Sequence, residues 1–195
     1  MGNRLSKIVT KTGDSGTTGI AGNIRLEKYH PRIETIGLID ELNSLIGIGI
    51  AELQQTLKTP AIQGASILEA LILEWSDIQH ELFNLGGELS MPGTALVTEK
   101  AVTTIEEQLT IYNELLPPLK EFILPGGSLL VAKTHYIRAI SRKAERSLWA
   151  LNSNDSVNPH ALKYLNRLSD YFFITARMIA KVTDTPELFW NHHKQ

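Results

Sequence analysis

Pro31-Arg32-Ile33-Glu34-Thr35-Ile36-Gly37-Leu38-Ile39-Asp40-Glu41-Leu42-Asn43-Ser44-Leu45-Ile46 carries an apolar residue at every third or fourth position, and Ile50 and Leu53 continue the repeat. At about 100° per residue these side chains share one face, which predicts an amphipathic helix of about 25 residues. Pro31 suits its first position, where a missing N–H costs nothing. Gly37, Gly47 and Gly49 lie inside it, each costing about 1 kcal/mol relative to alanine. That cost points to close approach by another helix or a ligand. Asp40 and Glu41 sit midway along. Either they form the solvated side, or one pairs with an arginine of a later helix.

Moving outward, Thr59-Pro60 ends this helix, and Ser66 with Glu69 reads as a capping box for a second. Ile67, Leu68, Leu71, Ile72, Trp75, Ile78, Leu82 and Leu85 carry the second helix as far as Met91-Pro92-Gly93. Thr98 is the expected N-cap of a third helix through Leu116, which Pro117-Pro118 bounds. After the apolar turn Phe122-Ile123-Leu124-Pro125-Gly126-Gly127, Ser128 caps a fourth helix to about Leu151. Asn158-Pro159 starts a fifth through about Val182. Five long helices with short connectors and little alternating pattern predict an all-α helical bundle in one domain over 1–195. The bundle would occupy about 31–192, after a loop at about 8–30 that could add a short hairpin.

That loop contains Thr10-Lys11-Thr12-Gly13-Asp14-Ser15-Gly16-Thr17-Thr18-Gly19: three glycines, four threonines, a serine, a lysine and an aspartate. Glycines let backbone amides converge on an anion, and hydroxyls and lysine add donors for phosphate oxygens. Asp14 could hold a water or Mg²⁺. The pattern is not a Walker A loop, because its only lysine precedes the first glycine. Taken alone, such a loop more often arises as a surface hairpin, since Gly, Asp, Ser and Thr are ordinary turn formers.

Composition narrows the field. The 195 residues are 43% hydrophobic and 21% charged, with net charge −2, as in an ordinary globular chain. No overall basic field invites nucleic acid or an anionic membrane. The absence of cysteine excludes disulfides, thiolate metal sites and a cysteine nucleophile. Met1-Gly2-Asn3-Arg4-Leu5-Ser6 matches a loose myristoylation pattern, but it lacks both a signal-peptide core and a polybasic run. No apolar run reaches the 18 or so residues of a membrane span. These features together predict a soluble, cytoplasmic protein.

Candidate chemistry gathers on the last two helices. Arg138, Arg142 and Glu145 fall at i, i+4 and i+7 on one face, away from the Ile137/Ala144/Leu148/Leu151 stripe. Two arginines one turn apart want an anion or carboxylates between them, which could be a polyphosphate or simply Glu145 and solvent. Asn166, Asp170, Phe173 and Arg177 share a flank of the fifth helix, where Asn166 could bond a nucleotide or another helix. Asp77-x-x-His80 is half of a di-iron pattern that needs a second pair and bridging glutamates. His192-His193 lies near the terminus, and no G-x-S-x-G elbow occurs.

Five motifs in order then show a resemblance. They are Thr10-Lys11-Thr12-Gly13-Asp14-x-Gly16, Ile39-Asp40-Glu41-Leu42-Asn43-Ser44, Phe122-Ile123-Leu124-Pro125-Gly126-Gly127, Arg138-x-x-x-Arg142-Lys143-Ala144-Glu145-Arg146 and Leu165-Asn166-Arg167-Leu168-Ser169-Asp170-Tyr171-Phe172-Phe173. From about residue 7 to about 190 the sequence resembles the PduO-type ATP:cob(I)alamin adenosyltransferases, also called corrinoid adenosyltransferases. The resemblance implies a ferritin-like five-helix bundle with an N-terminal glycine-rich nucleotide-binding loop. It further implies a homotrimer with active sites between subunits. Thr10, Lys11, Thr12, Gly13, Asp14, Thr18, Gly19 and Lys28 of one subunit would hold ATP. Arg142, Lys143, Glu145, Arg146 and Asn166 of the next would complete the site, with Mg²⁺ on the phosphates and Glu145 a candidate ligand.

By the same resemblance, Asp40 and Arg138 would pair across the interface beside cobalamin and, with Arg142, serve catalysis. Phe122 and Phe173 would contact the corrinoid, Phe122 under the corrin ring. Cobalamin would be a substrate, and a reductase and an adenosylcobalamin-dependent enzyme are the implied partners. Some members close the corrinoid pocket with a C-terminal aromatic segment; here 186–195 contains Phe189 and Trp190, and neither is assigned that part. The alternative function is a non-catalytic ATP or corrinoid sensor or carrier of the same fold.

Overall fold

The computed structural model describes residues 9–59, 62 and 64–191. The myristoylation pattern and His192-His193 lie outside them. A two-stranded antiparallel ribbon, β1 (Thr17–Gly19) and β2 (Arg25–Glu27), precedes five helices. These are α1 (Pro31–Leu57), α2 (Ala65–Ser90), α3 (Glu99–Glu114), α4 (Leu129–Asn152) and α5 (Pro159–Val182). Among the described residues, no helix is long and apolar enough to cross a membrane.

α1 packs on α2 and α4, while α5 packs on α4, α3 and α2. α5 is therefore enclosed, with Leu165, Leu168, Tyr171, Phe172 and Ala176 wholly buried. The expected caps form at three helices: Thr98 accepts from Ala101 N, Ser128 from Val131 N and Asn158 from His160 N. At α1 the imidazole of His30 accepts from Arg32 N, ahead of Pro31. The capping box expected at Ser66 and Glu69 does not form. α2 begins at Ala65 behind Gly64, whose φ of 116° supplies the turn with no side-chain cap. A Cβ there would also lie 2.7 Å from Cβ of Val182. Glycine is thus required twice over.

The α1 glycines divide. A Cβ on Gly49 would meet Trp75 at 2.4 Å, so this glycine lets α2 seat a fully buried indole against α1. That ring in turn stacks edge-on to Phe172 at 5.3 Å. Gly37 meets nothing within 4 Å and lines an open cavity instead.

Three buried charges hold the ends of the bundle. Glu88, at the end of α2, accepts from Leu96 N, Val97 N and Asn158 Nδ2. Arg32 donates to Leu89 O at 2.8 Å and pairs with Asp155. Arg177 joins Glu187 at 2.8 Å and donates to Pro117 O at 2.9 Å.

Between α2, α3 and α5, Glu74 accepts from Tyr112 at 2.8 Å and Tyr171 at 2.6 Å. Burial raises the pKa of this carboxyl more than the two phenols lower it. A carboxyl raised on folding stabilises the fold at low pH, and the contribution is lost as pH rises through the folded value. Glutamine keeps one acceptor and one donor for the two hydroxyls without the buried charge. E74Q is therefore expected to melt near the wild type at pH 4 and above it at pH 8. Parallel melting curves across that range would show that no such charge penalty exists.

Candidate functional site

The N-terminal loop is built mostly from its own hydrogen bonds. Lys11 takes φ 57° and Gly16 φ 86°, turning the chain so that Lys28 N donates to Gly16 O at 2.9 Å. A Cβ on Gly13 would sit 3.4 Å from Nζ of Lys28, so the second lysine of the expected phosphate set lies against the first glycine. Lys11, Thr12 and Asp14 are exposed around them. The brace is Arg25, which lies outside every motif of the sequence. It donates to Thr12 O at 2.6 Å and to Thr17 Oγ1 from both Nε and Nη2. The signal that could have found it is strand register, since Arg25 pairs with Gly19 across the ribbon.

On α4 the charged face forms, with different partners from those expected. Arg142 is exposed and, among the described residues, makes no ion pair; its carbonyl accepts from Arg146 Nη1 at 3.1 Å. Glu145 does not bridge the arginines. It accepts from Asn166 Nδ2 at 2.9 Å, and Asn166 Oδ1 accepts from Arg167 at 2.6 Å. Of the α1 acids, Asp40 is exposed, while Glu41 meets a helix-four lysine, Lys143, at 3.3 Å. Glu41 and Lys143 are both half-exposed, so this pair adds little stability. Arg177, from the flank of Asn166 and Asp170, is turned into the structure by Glu187.

One turn before Arg142, Arg138 lines a cavity of about 530 Å³ with His135, Phe173, Phe122, Ile123 and Leu119. Phe122 presents its ring with 76% exposure. The chain after α5 returns beside it: Leu124 N donates to Leu188 O and Trp190 N to Phe122 O, both at 2.7 Å. Trp190 stacks edge-on to Phe122 at 6.1 Å, while Phe189 lines a neighbouring cavity with Arg177 and Glu187. Phe172 is core and Phe173 is half-buried at the cavity.

His135, which sequence reasoning passed over, is 3% exposed, and its Nδ1 has no partner. Burial, and then the charge of Arg138, push its imidazole pKa down. Burial and Arg142 likewise lower that of Arg138, whose Nε is enclosed and unpaired. The guanidinium remains a cation.

Asp40 lies elsewhere. It lines a cavity of about 380 Å³ between α1 and α2, with Asn43, Gly37, Phe83 and Gly86. Among the described residues of one chain, no ion pair joins it to Arg138, and no hydrogen bond joins Thr10–Gly19 to Arg142, Glu145 or Asn166. The chain thus carries a glycine-and-lysine loop, a cationic helix face beside a cavity of mixed polarity, and a mostly apolar cavity that holds Asp40.

The family model described as "Cobalamin adenosyltransferase" matches residues 8–179. A cobalamin adenosyltransferase of Cupriavidus metallidurans is 43% identical over 195 residues, covering 100% of both chains. A corrinoid adenosyltransferase of Bacillus subtilis is 43% identical over 176 residues, covering 89% of this chain and 86% of its own. Among solved structures, the fold is similar to a phenylalanine-to-alanine variant of a PduO-type ATP:corrinoid adenosyltransferase from Lactobacillus reuteri, complexed with cobalamin and ATP. That match has a TM-score of 0.84 at 33% identity, covering 95% of this chain and 100% of the other.

Proposed function

The chain belongs to the cobalamin adenosyltransferase family, and on that premise we propose how its residues divide the work of ATP:corrinoid adenosyl transfer. It is an enzyme that moves the adenosyl group of ATP to the cobalt of a reduced corrinoid. Co(I) attacks the ribose C5′ in line. The cobalt electron pair forms the Co–C bond, the C5′–O bond breaks, and its pair leaves on triphosphate. Cobalt ends as Co(III). No protein nucleophile is required, so catalysis rests on alignment and on charge offered to the leaving group.

One observation carries the assignment of residues: Arg142 stands one helical turn from Arg138, so a cationic face and the cavity of Phe122 share a single rigid helix. In the proposal Thr10, Lys11, Thr12, Gly13, Asp14, Thr18, Gly19 and Lys28 cradle the triphosphate. Arg142, Lys143, Arg146, Glu145 and Asn166 of a neighbouring subunit close over it. Glu145 offers a hard carboxylate oxygen fixed by Asn166 at 2.9 Å, a donor that fits Mg²⁺ carried on the phosphates. Such an ion would offset charge on the departing triphosphate. Phe122 and Phe173 give the corrinoid an apolar floor, with Asp40 of the adjoining subunit meeting Arg138. That Asp40 and Arg138 line different cavities and form no ion pair among the described residues of one chain is what favours this shared, homotrimeric arrangement of single-domain subunits (loop about 8–30, bundle about 31–192). The setting is the cytoplasm, with a reductase supplying the reduced corrinoid and an adenosylcobalamin-dependent enzyme taking the product.

The test is anaerobic incubation with Mg-ATP and chemically reduced cobalamin. Light-sensitive adenosylcobalamin and triphosphate in equal amounts are expected. ADP and phosphate would overturn the reaction as written. Light scattering should give three times the 21.7 kDa chain mass; a stable monomer would overturn the shared site.

A further inference from the structure

His135 is the polar group of the Phe122 cavity that the reaction above leaves without a task. Its imidazole is 3% exposed and lines the cavity beside Arg138. It lies 6.2 Å from the ring of Phe173 at a tilt of 54°. Its Nδ1 is enclosed with neither donor nor acceptor. A buried polar nitrogen left unpaired costs free energy, so each such case calls for a reason. The fold does supply packing for the ring: Phe173 flanks it and α4 fixes its backbone. It supplies no hydrogen bond. The residue lines the cavity, where a bound molecule can supply the missing hydrogen bond.

The chemistry of the partner follows from the state of the ring. Burial, and then Arg138, disfavour the imidazolium, against the weaker pull of Glu187. Lys120 and Glu121 also line the cavity, while Glu187 is already engaged by Arg177 at 2.8 Å. A neutral imidazole has one N–H donor and one acceptor nitrogen. The two nitrogens diverge, so one ligand group meets one of them; a carboxamide can answer either, by its carbonyl or by its N–H. A carboxylate, offering acceptors alone, would leave the imidazole acceptor unmet.

Corrinoids carry acetamide and propionamide arms around the ring, and a primary carboxamide presents a carbonyl and an amide N–H together. We propose that His135 hydrogen-bonds one rim carboxamide of the corrinoid and so selects for amidated over acidic corrinoids. The inference rests on the corrinoid reading of this cavity. It adds to that reading a residue and a discrimination.

The test measures corrinoid affinity by quenching of tryptophan fluorescence. The two probes are cobinamide and a corrinoid whose rim amides have been hydrolysed to carboxylates. For H135F, which keeps the aromatic packing on Phe173, cobinamide affinity should fall about 5- to 10-fold, the effect of one neutral hydrogen bond. The carboxylate probe should change less than about twofold by the same reasoning, so the preference collapses. H135Q, with a donor and an acceptor, should restore most of it. KM for ATP should stay within about twofold in both variants, since no nucleotide contact is removed.

Equal loss for both probes would make His135 a packing residue, and unchanged affinity would remove it from the pocket; either overturns the proposal. Should H135F not fold, the wild-type protein decides. Its His135 imidazole ¹⁵N resonance, assigned by its disappearance in H135Q, must shift on adding diamagnetic cob(III)inamide, and a fixed resonance overturns the proposal. Wild-type protein that forms no adenosylcobalamin and binds neither probe would instead refute the corrinoid reading beneath it.

Discussion

Arg142→Ala is expected to lower kcat/KM for ATP by about 10²- to 10³-fold, the effect of removing one preorganised group from a developing anion, while the bundle melts as before. The second half follows from the structure: Arg142 is exposed, and among the described residues its guanidinium makes no ion pair or hydrogen bond, while its carbonyl accepts from Arg146. Its guanidinium therefore has little stabilising work in an isolated chain. Arg142→Lys should fall between wild type and alanine, because an ammonium keeps the charge without the fork that grips two oxygens at once. Steady-state kinetics on ATP, read beside thermal melting, separate the cases. A fall in melting temperature matching the fall in rate would make Arg142 structural, and wild-type kinetics would move the phosphate site off α4.

Glu88→Ala should have the largest effect on folding, a loss of about 3–5 kcal/mol, since each buried donor left unsatisfied costs roughly 1–3 kcal/mol. One carboxylate oxygen satisfies Leu96 N at 2.7 Å, Val97 N at 3.1 Å and Asn158 Nδ2 at 3.1 Å. Asn158 in turn holds Val97 O and caps α5 at His160 N. Alanine would leave Leu96 N and Val97 N without an acceptor and take one of its two acceptors from Asn158 Nδ2, in a place only 5% exposed at Glu88. Glutamine still presents an oxygen and should lose roughly 1–2 kcal/mol, the difference between a charged and a neutral acceptor. Denaturant titration measures both. An alanine variant within 1 kcal/mol of wild type would mean that water or another group takes over the three bonds.

Glu88 also marks where the sequence stops being legible. The five helices could be read because apolar spacing and side-chain caps are local signals, and Thr98, Ser128 and Asn158 act where they were expected. The start of α2 was misread because its cap is a backbone angle at Gly64, which leaves no hydroxyl or carboxylate to recognise. Buried charges escape for a different reason. Arg32 looks like any polar residue of an amphipathic helix, and its partner Asp155 lies 123 positions away. Gly37 and Gly49 are identical as letters, yet one faces open space and the other an indole.

At the candidate site, motif residues such as Lys11, Arg142 and Asn166 were legible as a set. Their partners were not: Glu145 turns to Asn166, and Glu41 to Lys143. Arg25 and His135 were passed over because bracing a loop or lining a cavity leaves no mark in residue spacing. Those roles depend on which elements are brought side by side.

The ribbon before α1 has a consequence for how such a protein can change. The side-chain hydrogen bonds of Thr10, Thr12, Thr17 and Arg25 close within the ribbon and its loop, and neither strand packs broadly on a helix. Substitutions in those residues can therefore accumulate while the thermal tolerance of the helical body is left as it was. Ribbon and body lose stability separately, so each can vary at its own pace.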